Sequence, residues 1–188
     1  MCLLRPGIKE DPLRRWNLPD RVFFAAGACH ILAHAFLERF IASGFGPIWV
    51  RPRDGLTGNH LFVTNGDLAF DYHGYVPRGR LVAHYTRLAR RLFPGWEADL
   101  VPVNTSLVNR AEAKTIGMDI REPAQFLHDA RPRARRFLDR FDHRVLNQLP
   151  NLALERTGET PAAQSRRWAD QRSGPPREGA ASMIDLQC

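Results

Sequence analysis

Residues 59–72 read NHLFVTNGDLAFDY, two alternating apolar runs on either side of the dipeptide Asn65-Gly66. Asn-Gly between such runs is the strongest short-range signal for a β-hairpin, because both residues tolerate the positive φ angles of a type I′ turn. The sequence therefore predicts antiparallel strands at 59–64 and 68–72 joined by a two-residue turn. We expect the rest of the domain to be arranged around this hairpin.

A two-residue turn also sets the register of the hairpin. Thr64 would lie opposite Asp67, and the same register places His60 opposite Asp71. Opposed side chains share a face with Cβ atoms ~4.5–5.5 Å apart, so an imidazole N–H can reach a carboxylate. The pair would lie opposite the core side of the hairpin, on a face free for a site. The residues of the predicted core side are Leu61, Val63, Leu68 and Phe70.

Helices and further strands are predicted on both sides of the hairpin. They are helices at 28–40 and 78–93, strands at 47–50 and 98–103, and a final helix that begins at Pro123 and is interrupted near Pro132. Mixed elements with a local hairpin indicate an α+β fold. We expect the helix that carries Cys29 to pack on a small antiparallel sheet, with the other helices around it.

The length and composition favour one domain with flanking segments. The chain has 188 residues, of which 44% are hydrophobic, and domains cluster near ~100–150 residues. We predict an N-terminal extension at 1–13, an α+β domain at 14–145 and a disordered tail at 146–188, because no apolar period persists after Pro150.

The sequence gives little indication of a membrane span, a secretory signal or disulfide bonds. No run approaches the ~18 apolar residues of a membrane span, and the N-terminus lacks the apolar core of a secretory signal. The three cysteines are Cys2, Cys29 and Cys188; their odd number and their spacing argue against a disulfide framework and a zinc ribbon. We expect a cytoplasmic protein with reduced thiols.

The net charge of +7 comes from arginine, because Lys9 and Lys114 are the only lysines. Two arginine-rich faces are predicted, one with Arg80, His84, Arg87 and Arg91, the other with Arg131, Arg133, Arg135, Arg136 and Arg140. Either face could grip an acidic partner, and the alternative for both is an ordinary solvated surface. Nucleic acid is not favoured as the partner, because aromatic residues are not interleaved with these arginines.

A histidine held by an aspartate is an oriented base that lacks only a nucleophile. Cys29 begins a predicted helix, where backbone N–H groups and the helix dipole favour a thiolate. The order Cys29, His60, Asp71 resembles the papain-like superfamily, especially its NlpC/P60-type and transglutaminase-like members. Segments 27–30 and 59–63 are also similar to stretches of small uncharacterised bacterial proteins.

The resemblance implies a papain-like core and a thiol-dependent hydrolase or acyltransferase, which attacks a peptide or a small amide or ester through a covalent thioester. Cys29 would be the nucleophile, His60 the base and Asp71 the residue that orients it, and no cofactor is implied. No Gln stands a few residues before Cys29, so backbone N–H groups near Cys29 or another side chain would form the oxyanion hole. Four further residues are candidates for substrate binding or support of the triad: Asn59, His73, His30 and Trp49.

Other functions remain open. Cys29 is also explained as a small buried hydrophobic residue. His30 and His34 have the i, i+4 spacing of two helical metal ligands, but no glutamate completes an HExxH pattern, so we expect no metal. The alternative to an enzyme is a non-catalytic binding module that uses its arginine-rich faces for an acidic partner.

Overall fold

The computed structural model describes residues 4–147 of the chain. Residues 4–140 belong to one compact unit, and 141–147 are the described part of a second unit, in which Arg144 forms an exposed ion pair with Asp142 (Nη2–Oδ2 2.7 Å). The predicted tail at 146–188 lies outside the described residues except for positions 146 and 147. All helices and strands named below belong to the first unit.

Five antiparallel strands form one sheet in the order β4-β3-β2-β1-β5. The strands are β1 Gly46–Pro52, β2 His60–Thr64, β3 Leu68–Asp71, β4 Gly74–Pro77 and β5 Ala98–Pro102. The strands predicted at 47–50, 59–64, 68–72 and 98–103 are confirmed, as is the α+β class. Strand β4 was not predicted; it follows β3 after a two-residue turn at Tyr72 and His73.

In the described part of the first unit, six α-helices accompany the sheet: α1 Pro12–Trp16, α2 Asp20–Ala25, α3 Cys29–Arg39, α4 Arg78–Leu92, α5 Arg110–Lys114 and α6 Ala130–Leu138. Helices α3 and α4 confirm the predictions at 28–40 and 78–93. Among residues 4–147 no helix has the length and apolar character needed to cross a bilayer.

The last helix differs from its prediction. Pro123 begins only a short 3₁₀ turn, Pro123–Gln125, and α6 begins at Ala130 after Asp129, whose carboxylate accepts a hydrogen bond from the N–H of Arg131. Pro132 is the third residue of α6, where a missing N–H breaks no intrahelical bond. The proline therefore lies in the first turn of a helix instead of interrupting a longer one.

The predicted register of the hairpin is wrong by two residues. Thr64 pairs with Ala69, not with Asp67, because the side chain of Asn65 accepts hydrogen bonds from the N–H groups of Asp67 and Leu68 (3.2 and 2.9 Å) and closes a longer loop. An Asn side chain that caps its own turn competes with a type I′ geometry. A shift of two residues keeps every side chain on its predicted face.

Both faces of the sheet are covered. Helix α3 packs on the face that carries Phe70, since the rings of Phe36 and Phe70 stack with centroids 4.8 Å apart. Helix α4 packs on the other face, with Tyr85 in a buried cluster that includes Phe62. The expectation that the His60 face is free for a site is therefore wrong, because the apolar side of α4 covers it. The cluster on this side contains Ile48, Val50, Phe62, Ala69, Leu81, Tyr85, Ala89 and Trp96.

Candidate functional site

Asp71 is the last residue of β3, and its carboxylate contacts two histidines. Its Oδ2 accepts a hydrogen bond from Nε2 of His60 (3.0 Å), and its Oδ1 accepts from the backbone N–H of His73 (2.8 Å) and from Nδ1 of the same residue (3.1 Å). An Asp that binds the N–H two residues on is a common way to start a turn. The predicted contact between His60 and Asp71 is confirmed, and His73 proves to be a second partner of the carboxylate.

The electrostatics favour an ionised Asp71 that accepts hydrogen bonds from both histidines. Burial by itself would raise the pKa of the Asp71 carboxyl, but hydrogen bonds from His60 and His73 outweigh it and hold that pKa well below its usual range. Burial lowers the pKa of His60 by more than the bond to Asp71 raises it. A carboxylate that only accepts requires the Nε2–H tautomer of His60 and the Nδ1–H tautomer of His73.

His60 is fully buried inside the domain. Its side chain is 0% exposed, its ring stacks on Tyr85 with centroids 4.8 Å apart, and the ring of Tyr72 meets it edge-on at 5.5 Å. Its Nδ1 is buried with no hydrogen-bond partner. Under this cover the imidazole serves as a hydrogen-bond donor to Asp71.

Cys29 is the first residue of α3 and is 6% exposed. Helix α3 lies on the Phe70 face of the sheet, whereas the ring of His60 lies against α4 on the other face. Nε2 of His60 is bonded to Asp71 and Nδ1 has no hydrogen-bond partner. The structure therefore brings His60 and Asp71 together without a hydrogen bond between His60 and the Cys29 thiol.

His73 is the accessible member of the group. Its side chain is 31% exposed, compared with 1% for Asp71. Because Nδ1 donates to Asp71, Nε2 carries the lone pair of the neutral ring. The ring of His84, an exposed residue of α4, lies with its centroid 5.6 Å away and nearly perpendicular, at 87°. Asp71 therefore orients a partly exposed imidazole, His73, beside a second imidazole, His84.

Helix α4 carries exposed positive charge next to these histidines. We call Arg80, His84, Arg87 and Arg91 the α4 basic stripe; all four are exposed, and their spacing of four, three and four residues places them on one side of the helix. Helix α4 contains no acidic residue. Among the residues that the structure describes, no carboxylate lies within 4.0 Å of a stripe arginine.

The arginines of the other predicted face differ from the stripe. Arg133 and Arg140 bind Asp20 (2.7 and 2.6 Å), Arg131 binds Asp129 (2.6 Å), and Arg135 lies 3.4 Å from Glu38. The guanidinium of Arg133 also donates to backbone carbonyls before α2. Four of the five arginines therefore already have carboxylate partners and tie α6 to the rest of the domain.

The remaining predicted residues have partners away from Asp71. Nε1 of Trp49 donates to Oδ1 of Asn59 (2.8 Å). Nε2 of His30 bonds the carbonyl oxygen of Arg121 (2.7 Å), and burial lowers the pKa of His30 to about 4. His34 lies 3.3 Å from Glu38. Within residues 4–147 no group of three or more potential ligands is arranged to hold a metal ion.

Sequence reasoning missed the contacts of Tyr85 and His84 with the hairpin histidines. The sequence does show the amphipathic period of α4, with Tyr85 on its apolar side and His84 on its basic side. No local signal tells that this helix lies over the face of His60. The approach of α4 to the turn after β3 is a tertiary contact, and only the fold reveals it.

Comparisons with family models, with curated proteins and with solved structures find no match to this chain.

Proposed function

We propose that the α4 basic stripe binds the phosphate backbone of a nucleic acid. The observation that carries this proposal is the contrast between two sets of arginines. Four of the five arginines in and just after α6 have a carboxylate within 4.0 Å, whereas Arg80, Arg87 and Arg91 are exposed on a helix without acidic residues. Three exposed guanidinium groups on one side of a helix attract a chain of anions, and guanidinium binds phosphate in a bidentate manner.

Phosphates fit this surface better than an acidic protein does. The cores of protein interfaces are rich in aromatic and other apolar side chains. The described part of the chain exposes four large hydrophobic residues, of which only Leu92 belongs to α4; the others are Leu13, Ile41 and Leu127. The lack of aromatic residues between the arginines removes a platform for stacked bases, but contacts to the backbone need none.

The size of the stripe suits several phosphates. The twelve residues from Arg80 to Arg91 span about 16 Å along the helix axis, and one strand of a duplex carries a phosphate every ~3.4 Å. The stripe can therefore follow roughly five nucleotides of one strand. Binding through the backbone predicts little sequence preference and a strong dependence on salt.

Thiol acyl transfer, the function expected from the sequence, has less support. It requires the Cys29 thiol at an imidazole nitrogen, and Nδ1 of His60, the nitrogen not bonded to Asp71, has no hydrogen-bond partner. The arginine-rich binding module, which the sequence offered as the alternative, is the function that the arrangement of charges favours.

The experiment is a binding measurement by fluorescence anisotropy, with labelled single-stranded RNA and DNA as probes. The test variant is Arg87→Glu/Arg91→Glu, and the matched control is Arg131→Glu/Arg135→Glu, which changes the net charge equally on α6. We expect the test variant to bind at least about tenfold more weakly than the unmodified chain, and the control to lose clearly less affinity. Equal losses in both would contradict a role for α4. Displacement of RNA by a poly-glutamate peptide at equal charge concentration would contradict the choice of nucleic acid and indicate an acidic protein.

A further inference from the structure

We propose that His73 and His84, flanked by Arg80 and Arg87, form an acid–base site that cleaves the backbone of RNA by intramolecular transesterification. This inference rests on the proposed function, since it assumes that α4 holds the phosphate backbone. It adds an activity to that surface and selects RNA over DNA as the substrate.

The first support is the geometry of the two imidazoles. Their ring centroids are 5.6 Å apart with planes at 87°, so the two imidazoles are close enough to act on one bound group. Asp71 fixes one ring through its bond to Nδ1 of His73 (3.1 Å), and His60 fixes Asp71 from the buried side (3.0 Å). Two neighbouring imidazoles, one of them held in place, can act as a general acid and a general base: one gives a proton to the reacting group and the other takes a proton from it.

The second support is the position of the arginines. Arg80 precedes His84 by four residues and Arg87 follows it by three, so both lie beside it on the surface of α4. Neither has a carboxylate partner among the described residues. A phosphodiester seated between them would present its non-bridging oxygens to the guanidinium groups, which stabilise the charge that grows on phosphorus-bound oxygen.

The reaction needs no second substrate. Neutral His84 takes the proton of a ribose 2′-hydroxyl as the bond from O2′ to phosphorus forms. The bond from phosphorus to the 5′-oxygen breaks, and His73, as an imidazolium, gives its Nε2 proton to that leaving oxygen. The products are a 2′,3′-cyclic phosphate and a 5′-hydroxyl. The enzyme ends with a proton on His84 and none on Nε2 of His73, and exchange with solvent restores the starting state.

The environment favours this division of roles. The Asp71 carboxylate holds Nδ1 of His73, so Nε2 is the nitrogen of that ring from which a proton can be given to the leaving oxygen. Desolvation, followed by the positive charges of His73 and Arg87, lowers the pKa of His84, which keeps this ring neutral and suits it to be the base. DNA lacks the 2′-hydroxyl and would bind without being cut.

The test uses a fluorophore–quencher RNA and its all-deoxy analogue, incubated in EDTA with the full chain, His84→Gln, His73→Gln or the control His34→Gln. His34 is a half-buried histidine of α3 next to Glu38. We expect cleavage of RNA alone, a product with a 2′,3′-cyclic phosphate by mass spectrometry, and a rate about 10²-fold lower for either test variant. The control should cut as the full chain does.

Binding of the same RNA by anisotropy separates this inference from the proposed function. If the RNA is bound but remains uncut, or if His84→Gln cuts it as fast as the full chain does, the acid–base site is wrong and the binding proposal still holds. RNA that is not bound by the full chain overturns both. Because His84 is exposed, His84→Gln decides the outcome even where His73→Gln fails to fold.

Discussion

Nε2 of His60 lies 3.0 Å from Oδ2 of Asp71, although the register of β2 and β3 leaves these residues on a diagonal and not directly opposite each other. Side chains on such a diagonal remain within reach of long or aromatic groups. The bond lies under α4 with both side chains almost fully buried. It joins the interior of the domain to a surface imidazole, because the same carboxylate holds His73.

Replacing the carboxylate should therefore weaken the fold. In Asp71→Asn the amide NH2 would meet an N–H donor of His60 or His73 inside the core, since a carboxylate only accepts and an amide also donates. We expect the free energy of unfolding to fall by about 3 kcal/mol, as when one partner of a buried pair is removed. Urea unfolding measures it. Asp67→Asn, in the exposed loop between β2 and β3, is the control and should change little.

Stability should decline as the pH falls from about 6.5 to about 4. Burial lowers the pKa of His30 to about 4 in the folded state, whereas an unfolded His titrates near ~6.5. Between these pH values His30 is protonated in the unfolded chain but not in the folded domain. The free energy of unfolding therefore falls by up to about 3 kcal/mol towards the acidic end. Urea unfolding at several pH values follows this loss.

The variant His30→Gln isolates this contribution. Gln can still donate to the carbonyl of Arg121 but does not titrate. We expect a shallower pH dependence in the variant, with the remainder from His60, whose pKa burial also lowers. Stability that is flat between pH 4 and 6.5 in the unmodified chain would show that these rings are not shielded as described.

Cys29 should react slowly and be dispensable for binding. The residue is buried at the start of α3, and alkylation requires access to the thiolate. We expect peptide mass spectrometry to find little iodoacetamide labelling of Cys29 in the native protein and complete labelling in urea, with RNA binding unchanged in Cys29→Ala. Rapid native labelling at neutral pH would instead indicate an activated thiol and return support to the acyl-transfer hypothesis.

Local patterns predicted much of the fold. The apolar periods of α3 and α4, the short apolar run of β1 and the alternation of β2, β3 and β5 are visible in the chain. The loop of the hairpin was not predictable from Asn65-Gly66, since the Asn65 side chain can serve either turn. Strand β4 was missed because Gly74 and Pro77 at its two ends are residues typical of turns.

The candidate site was predicted only in part. His60 and Asp71 could be paired from sequence because a shift of two residues in register keeps both on one face. The burial of His60 depends on α4, which follows in the chain but crosses over the sheet. The same packing brings His84 to His73. Such contacts follow from tertiary structure, which neither spacing nor composition encodes locally.

The salt dependence of RNA binding reports the number of phosphates that the α4 basic stripe contacts. Each phosphate contact on a single strand contributes about −0.7 to the slope of log K against log salt concentration. Arg87→Gln/Arg91→Gln should make the slope shallower by about 1.4, while Arg131→Gln/Arg135→Gln, whose arginines are bound to Asp129 and Glu38, should leave it unchanged. A slope that is the same for the unmodified chain and the α4 variant would contradict binding through the α4 basic stripe.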